Sequence, residues 1–138
     1  MSKPTSIREC MRRNPITISK DAPLVQAVER LVEFKLTGLT VIDENGKPCG
    51  KLTELDCIKA VLNAIYNDGN PDATPVAMAM EHDFDTCRPE ESIVEVAQRM
   101  IDTRQRRNAV VDDQGRLVGQ VSSSNILWAL LEHSRANV

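Results

Sequence analysis

Apolar residues at Leu24, Ala27, Val28, Leu31 and Val32 follow the i, i+3, i+4, i+7, i+8 spacing of an amphipathic helix. "DAP" at 21 to 23 reads as its start, with Asp21 as a candidate cap and Pro23 near the first turn. Leu39 to Ile42 is a short β segment rich in branched side chains. "DENGK", 43 to 47, predicts a hairpin turn in which Asn45-Gly46 supplies positive φ. Cys49 to Thr53 is then the return strand, and Ile58, Val61, Leu62 and Ile65 mark a second amphipathic helix. A strand at about Ile16 to Ile18 precedes this run, and a short helix at Ile7 to Met11 leads in. The order is β–α–β–β–α.

The same order occurs again. Sliding the chain on itself by 69 positions places Met11 on Met80, Thr17 on Thr86, Arg30 on Arg99 and Val41 on Val110. Asp43 falls on Asp112, Gly46 on Gly115, Gly50 on Gly119, Ala60 on Ala129 and Leu62 on Leu131. One register held without a gap over about 55 residues implies two copies of one structural unit. The expected division is repeat 1 at 7–66, a linker at 67–75 rich in Gly, Pro, Asn and Asp, and repeat 2 at 76–132. A unit of about 60 residues is marginal alone, so the copies are expected to pack intimately.

Composition narrows the chemistry. The 138 residues carry a formal charge of −3, which disfavours nucleic acid as the main partner, because phosphate-backbone binding depends on a basic surface. Four aromatics, Phe34, Phe84, Tyr66 and Trp128, are too few for a base-stacking platform. No apolar run approaches the roughly 20 residues of a membrane span, and the N-terminus lacks the apolar segment of a secretory signal. A cytoplasmic protein is expected. Cys10, Cys49, Cys57 and Cys87 are far apart and share no ligand spacing with His82 or His133, so no metal site is expected. Met11, Met78, Met80 and Met100 read as soft packing residues of core or interface, and Trp128 as a packing or dimer-interface residue.

The two copies differ at one corner. "GKLTELD", 50 to 56, and "GQVSSSN", 119 to 125, each close a strand and open a helix. Thr53 with Asp56 matches a capping box. Ser122 can cap likewise, with Asn125 a poorer reciprocal partner. A helix N-terminus also offers free N–H groups and a favourable dipole to an anion.

These pieces together resemble the cystathionine-β-synthase (CBS) domain pair, or Bateman module. The stretches that carry the likeness are "VIDENGKPCGKLTELDCIKAV" at 41 to 61 and "VVDDQGRLVGQVSSSNILWAL" at 110 to 130, with the openings "MRRNPITISKDAPLVQAV" and "MEHDFDTCRPEESIVEVA". The resemblance implies an α/β fold of two β–α–β–β–α repeats packed sheet to sheet with pseudo-twofold symmetry. It implies an adenosine-containing ligand, AMP, ADP, ATP or S-adenosylmethionine, in the cleft between the repeats. Carried over, Thr53 is the phosphate contact and Asp56 the ribose contact, with Ser122 and Asn125 in those places in the second copy. Pro15, Ile16 and Lys51 line the first base pocket, with Thr37 and Gly38 on the phosphate side. Phe84, Asp85, Gln120, Arg106 and Arg107 are the second-copy equivalents. Phe84 is bulkier than Pro15, Asp85 puts a carboxylate where Ile16 stands, and the Pro that family members often carry is replaced by Thr40 and Ala109.

A carboxylate accepts both hydroxyls of a vicinal diol, whereas Asn125 offers one acceptor and one donor group. Hydrogen bonds to a charged group contribute about 1.5–3 kcal/mol, against about 1 for neutral pairs. The Asp56 copy is therefore expected to be the better nucleoside site. "RQRR", 104 to 107, suits polyphosphate as well as a solvated helix end. The reading that follows is a regulatory, energy-sensing homodimer without catalytic activity that signals to a protein partner. The alternative is a structural or dimerisation module that binds no nucleotide. No nucleophile–base pair or phosphate-binding G-x-x-x-x-G-K-[ST] loop points to an enzyme.

Overall fold

The computed structural model describes residues 4–67 and 69–135; Asp68 of the expected linker lies outside them. In chain order the elements are β1 (Arg12–Arg13), β2 (Thr17–Ser19), α1 (Leu24–Glu33), β3 (Gly38–Ile42), β4 (Pro48–Thr53), α2 (Glu54–Tyr66), α3 (Val76–Ala79), β5 (Thr86–Cys87), α4 (Ile93–Thr103), β6 (Arg107–Val111), β7 (Leu117–Ser122) and α5 (Ser123–Arg135). The fold is mixed α/β, and each repeat runs β–α–β–β–α. In one sheet β2 lies parallel to β3, which pairs antiparallel with β4. In the other the order is β1-β7-β6-β5, with β5 parallel to β6 and both β6 and β1 antiparallel to β7.

The chain forms two compact units, and they are not the two sequence repeats. One is Ile16–Phe84; the other joins the segment ending at Pro15 to the chain from Asp85 onward. The cause is the short stretch before each repeat. Leu24 N–H donates to Thr74 O at 2.7 Å, Val76 N–H to Ala22 O at 2.9 Å and Ala77 N–H to Lys20 O at 2.9 Å. Shifted by 69 positions the same bonds recur: Ile93 to Thr5 O, Ile7 to Glu91 O and Arg8 to Pro89 O, at 3.1, 3.0 and 2.8 Å. Each lead-in thus completes the unit built by the other repeat. Val76, fully buried, joins the cluster of Ile18, Leu24, Ala27, Leu31, Leu39, Val41, Leu52 and Cys57. Ile7, fully buried, joins Cys87, Ile93, Val96, Met100, Val110, Val121, Ile126 and Ala129.

Local details correct several expectations. The lead-in at Ile7 is a 3-10 turn over Ile7–Glu9, followed by β1. Asp21 does not cap α1: Pro23 holds that position, and the Leu24 N–H bond to Thr74 supplies what a side chain would have. In the first hairpin Gly46 alone takes positive φ, at 76°, while Asp43 Oδ1 accepts from Asn45 N and Lys47 N at 2.8 and 3.0 Å. Gly115, at 81°, and Asp112 repeat the turn. The apolar stripe of α2 faces outward. Cys57 and Ala64 are the residues it buries, because small side chains let it lie close to the sheet, and Leu55, Ile58, Leu62, Ile65 and Tyr66 are exposed. Met78 is exposed as well, and Trp128 does not pack in the core. Met100 is buried; Met11 and Met80 pack against the two clusters.

Candidate functional site

Each repeat ends in a strand-to-helix corner built in the same way. Gly38 opens β3 and pairs with Thr53 at the end of β4, so the preceding carbonyl, Thr37 O, meets the first amide of α2, Glu54 N, at 3.1 Å. In the second repeat Arg107 pairs with Ser122, and Arg106 O accepts from Ser123 N at 2.8 Å. The amide two residues further on is capped by a side chain. Asp56 N donates to Thr53 Oγ1, and Asn125 N to Ser122 Oγ, both at 3.2 Å. Two of the first-turn N–H groups of each helix are therefore satisfied within the protein, which reduces what the helix ends can offer an anion.

The corners diverge at the reciprocal bond. Asp56 Oδ2 accepts from both Thr53 N and Thr53 Oγ1 at 2.8 Å. Its second oxygen, Oδ1, accepts from none of the described residues, so half the carboxylate is committed and half is presented. Asn125 does close its box, contrary to its expected weakness as a partner: Ser122 N donates to Asn125 Oδ1 at 3.0 Å. That bond engages the one acceptor atom of the carboxamide, so Asn125 has no second oxygen to present as Asp56 has, and its other terminal atom is a donor. The cap explains why both residue types are tolerated; it does not require a carboxylate.

The other sequence-derived positions fall as follows. Lys51 lies on β4, exchanges two backbone bonds with Glu81 at 2.9 and 2.8 Å, and pairs its Nζ with Glu81 Oε2 at 3.5 Å. Gln120 lies on β7 between Arg12 and Ala109. Arg107 opens β6; burial first, and then the Arg106 charge, lowers its guanidinium pKa. Ile16 packs against the first cluster beside Leu39, whereas Pro15 ends the other unit and so does not share a unit with Thr53 and Asp56. Thr37, Gly38, Lys51, Thr53 and Asp56 share one unit; Arg106, Arg107, Gln120, Ser122 and Asn125 share the other.

Two further observations bear on chemistry. Burial, followed by the charges of Asp56 and Glu54, pushes the Cys57 thiol up to about 11, and burial, followed by Glu91, pushes Cys87 up to about 12. Such thiols are poor nucleophiles near neutral pH. Among the described residues, no three His, Cys, Asp or Glu side chains come together as a metal site, and no helix is long and apolar enough to cross a membrane. Sequence reasoning missed Asn108, a buried polar residue of β6 whose 69-position counterpart is Leu39. The register of the repeat carries the signal, since the shift pairs an amide with a core leucine.

Two β–α–β–β–α repeats, each closed by a capped corner of this kind, define a tandem α/β repeat module. The family model of the CBS domain matches twice, at residues 7–63 and 76–132, and the chain belongs to the CBS-domain family. Among solved structures, CBSX2 in complex with AMP is 25% identical, with a TM-score of 0.81 over 96% of this chain and 100% of that one. The CBS domain pair of MJ0100, in complex with 5-methylthioadenosine and S-adenosyl-L-methionine, is also 25% identical, with a TM-score of 0.73 over 91% and 95%. The 5'-AMP-activated protein kinase subunit gamma of Saccharomyces cerevisiae is 29% identical over 112 residues, 79% of this chain and 35% of its own length. The chain spans 35% to 61% of the length of the first curated relatives it matches.

Proposed function

We propose that this chain is a regulatory module that binds an adenosine-containing ligand, AMP, ADP, ATP or S-adenosylmethionine, and passes its occupancy to a protein partner. The observation that carries the reading is the Asp56 corner. A carboxylate with Oδ2 held by its own helix cap and Oδ1 uncommitted is a fixed acceptor suited to ribose hydroxyls. The complexes of CBSX2 with AMP and of MJ0100 with two adenosine derivatives support the ligand class. The ligand can act on a partner only by favouring one of two states of the module. Four free thiols suit a reducing compartment such as the cytoplasm.

Calorimetric titration with the four ligands tests this. At least one is expected to bind, and Asp56→Ala is expected to weaken it by about 10-fold or more, while Asn125→Ala changes it by less than about 3-fold. Absence of heat with all four ligands overturns the reading.

The exposed stripe of α2 favours a second reading that is compatible with the first, a homodimerisation module. Leu55, Ile58, Leu62 and Ile65 repeat at 3- and 4-residue spacing, and Leu127, Trp128 and Leu131 are exposed on α5. An apolar helix face of this kind fits a second copy of the chain. Light scattering is expected to give twice the chain mass, falling to one for Ile58→Glu. A protein that dimerises through this face, and releases no 260 nm absorbance on denaturation and binds none of the four ligands, is the purely structural module.

A further inference from the structure

The lead-in of residues 4–13 is separated along the chain from the core it completes. Ile7, fully buried, fills the cluster of Cys87, Ile93 and Val110, and Met11 packs against it. Ile7 N–H donates to Glu91 O and Arg8 N–H to Pro89 O, Arg12 and Arg13 pair with Gln120 and Gly119, and His133 Nδ1 lies 2.9 Å from Pro4 O. Among the described residues, the backbone bonds of this segment run only within itself or to the chain beyond Asp85, none to the Ile16–Phe84 unit. The groove is shaped for the segment, yet the covalent route between them passes through Asn14, Pro15 and the whole of the other unit. That route starts with a strained link. Asn14 takes φ 53° although a proline follows it. The left-handed region is costly for a residue with a Cβ, and a residue before proline favours extended backbone instead. Asp83, its 69-position counterpart at the other boundary, has no positive φ.

We propose that this groove also takes the lead-in of a second copy of the chain, with Asn14 and Pro15 as the hinge, so that two chains exchange residues 4–13. Each chain then makes in its partner the bonds it makes here in itself, and no contact is lost. What differs is the hinge and the loss of independent motion on pairing. Opening Asn14 into extended backbone removes its strain, and a raised chain concentration offsets the lost motion. Exchange of an identical element is a low-cost route to dimers, and repeat proteins are prone to it. The Val76 lead-in differs in this respect, because it lies in one continuous stretch with its core, Ile16–Phe84. In the exchanged pair the β1 neighbour of each Gln120 comes from the other copy, so a candidate ligand position is shared between chains. The exchange involves residues distinct from the exposed α2 face and needs no ligand.

The test uses full chains carrying Arg8→Lys together with Ile58→Glu, which disrupts the apolar face of α2. One preparation is of natural isotopes and the other is labelled with heavy nitrogen. Arg8 Nη2 and Glu90 Oε2 lie 3.2 Å apart at the surface, so a carbodiimide can join an amine at position 8 to Glu90. The two preparations are mixed, unfolded in urea, refolded together at high concentration and cross-linked. The product is expected to have twice the chain mass, with about half of the links between position 8 and Glu90 joining a light chain to a heavy one. Asn14→Gly, which relaxes the closed hinge, is expected to lower the ratio of dimer to monomer by about 5-fold. Should the doubly substituted chain fail to fold, Arg8→Lys alone gives the same isotope readout, because a dimer through α2 leaves each link within one chain. A refolded product of one chain mass, or links of like isotope only, overturns the exchange. An Asn14→Gly chain that dimerises as before overturns the hinge.

Discussion

The two units share a blueprint and spend their polar groups differently. In the Ile16–Phe84 unit the corner presents a free carboxylate oxygen, and the sheet behind it is apolar at Ile16 and Leu39. In the other unit the corner presents a carboxamide donor, and buried polarity lies at Asp85 and Asn108. A second contrast lies at the first helix. Arg30 and Arg99 are equivalent, but Arg99 forks onto Glu91 at 2.8 and 3.3 Å, whereas Ala22 stands at the Glu91 position and Arg30 donates to Thr17 O. Duplication kept the hairpin, the caps and the core pattern, which any such unit needs to fold. It released the last residue of the corner, Asp56 against Asn125, and the partner of the helix arginine, Ala22 against Glu91.

The strongest way to break the comparison is through the crossed lead-ins. Ile7→Ala is expected to cost about 3 kcal/mol, and Val76→Ala about 2 kcal/mol, as each removes a fully buried side chain. Hydrogen exchange should show Ile7→Ala loosening β5, β6 and β7, and Val76→Ala loosening β2, β3 and β4. The reverse assignment would contradict the chain path described above.

A somewhat smaller effect probes the glycines at which the lead-ins end. A Cβ on Gly50 would lie 2.6 Å from Met80 Sδ and 3.0 Å from Glu81 O; on Gly119 it would lie 2.8 Å from Met11 Sδ and 3.0 Å from Arg12 O. Gly50→Ala and Gly119→Ala are each expected to cost about 1–3 kcal/mol in thermal or urea unfolding. Met80→Ala added to Gly50→Ala should recover part of the loss, because the sulfur is the nearer obstacle. No recovery would locate the strain at the Glu81 carbonyl.

The smallest predicted effect sharpens the contrast of Glu91 with Ala22. Partial burial acts to raise the Glu91 pKa, but hydrogen bonds from Arg99 and from Arg88 N–H, at 2.6 Å, outweigh it and hold the carboxyl below its ordinary value. A carboxyl with a depressed folded pKa stabilises above its unfolded value, about 4.3. That contribution disappears as pH falls through the folded one. Glu91→Ala is expected to cost about 1 kcal/mol at pH 7, and the difference from wild type should shrink as the pH falls below the ordinary carboxyl range and through the lowered Glu91 pKa. A gap that stays constant with pH would show that the ion pair is not its source.

Much of this was legible in the chain. The 3.6-residue period located α1, branched side chains located β3, the 69-position shift carried both to α4 and β6, the Gly46 and Gly115 turns located the hairpins, and Thr53 with Asp56 gave the capped corner. What the sequence hid was of two kinds. Periodicity reports that a helix has an apolar face but not which surface that face meets, so Ile58, Leu62 and Ile65 marked an amphipathic helix without revealing that they are exposed. Nor does a repeat reveal that its first residues belong elsewhere in space, since Ile7 and Val76 look the same whichever core receives them. Asn108 was written in the alignment of the two copies, but its meaning needed the burial of its neighbours.

The crossed lead-ins also set an order on synthesis. One unit is a continuous stretch and has all its parts once Phe84 has been made. The other draws on residues made before that unit and on residues made after it, so the Ile7 N–H must wait for Glu91 O, and Ser6 for its bridge to Ser92. During synthesis one unit is therefore complete while the other is still open, with the apolar Ile7 waiting for its core.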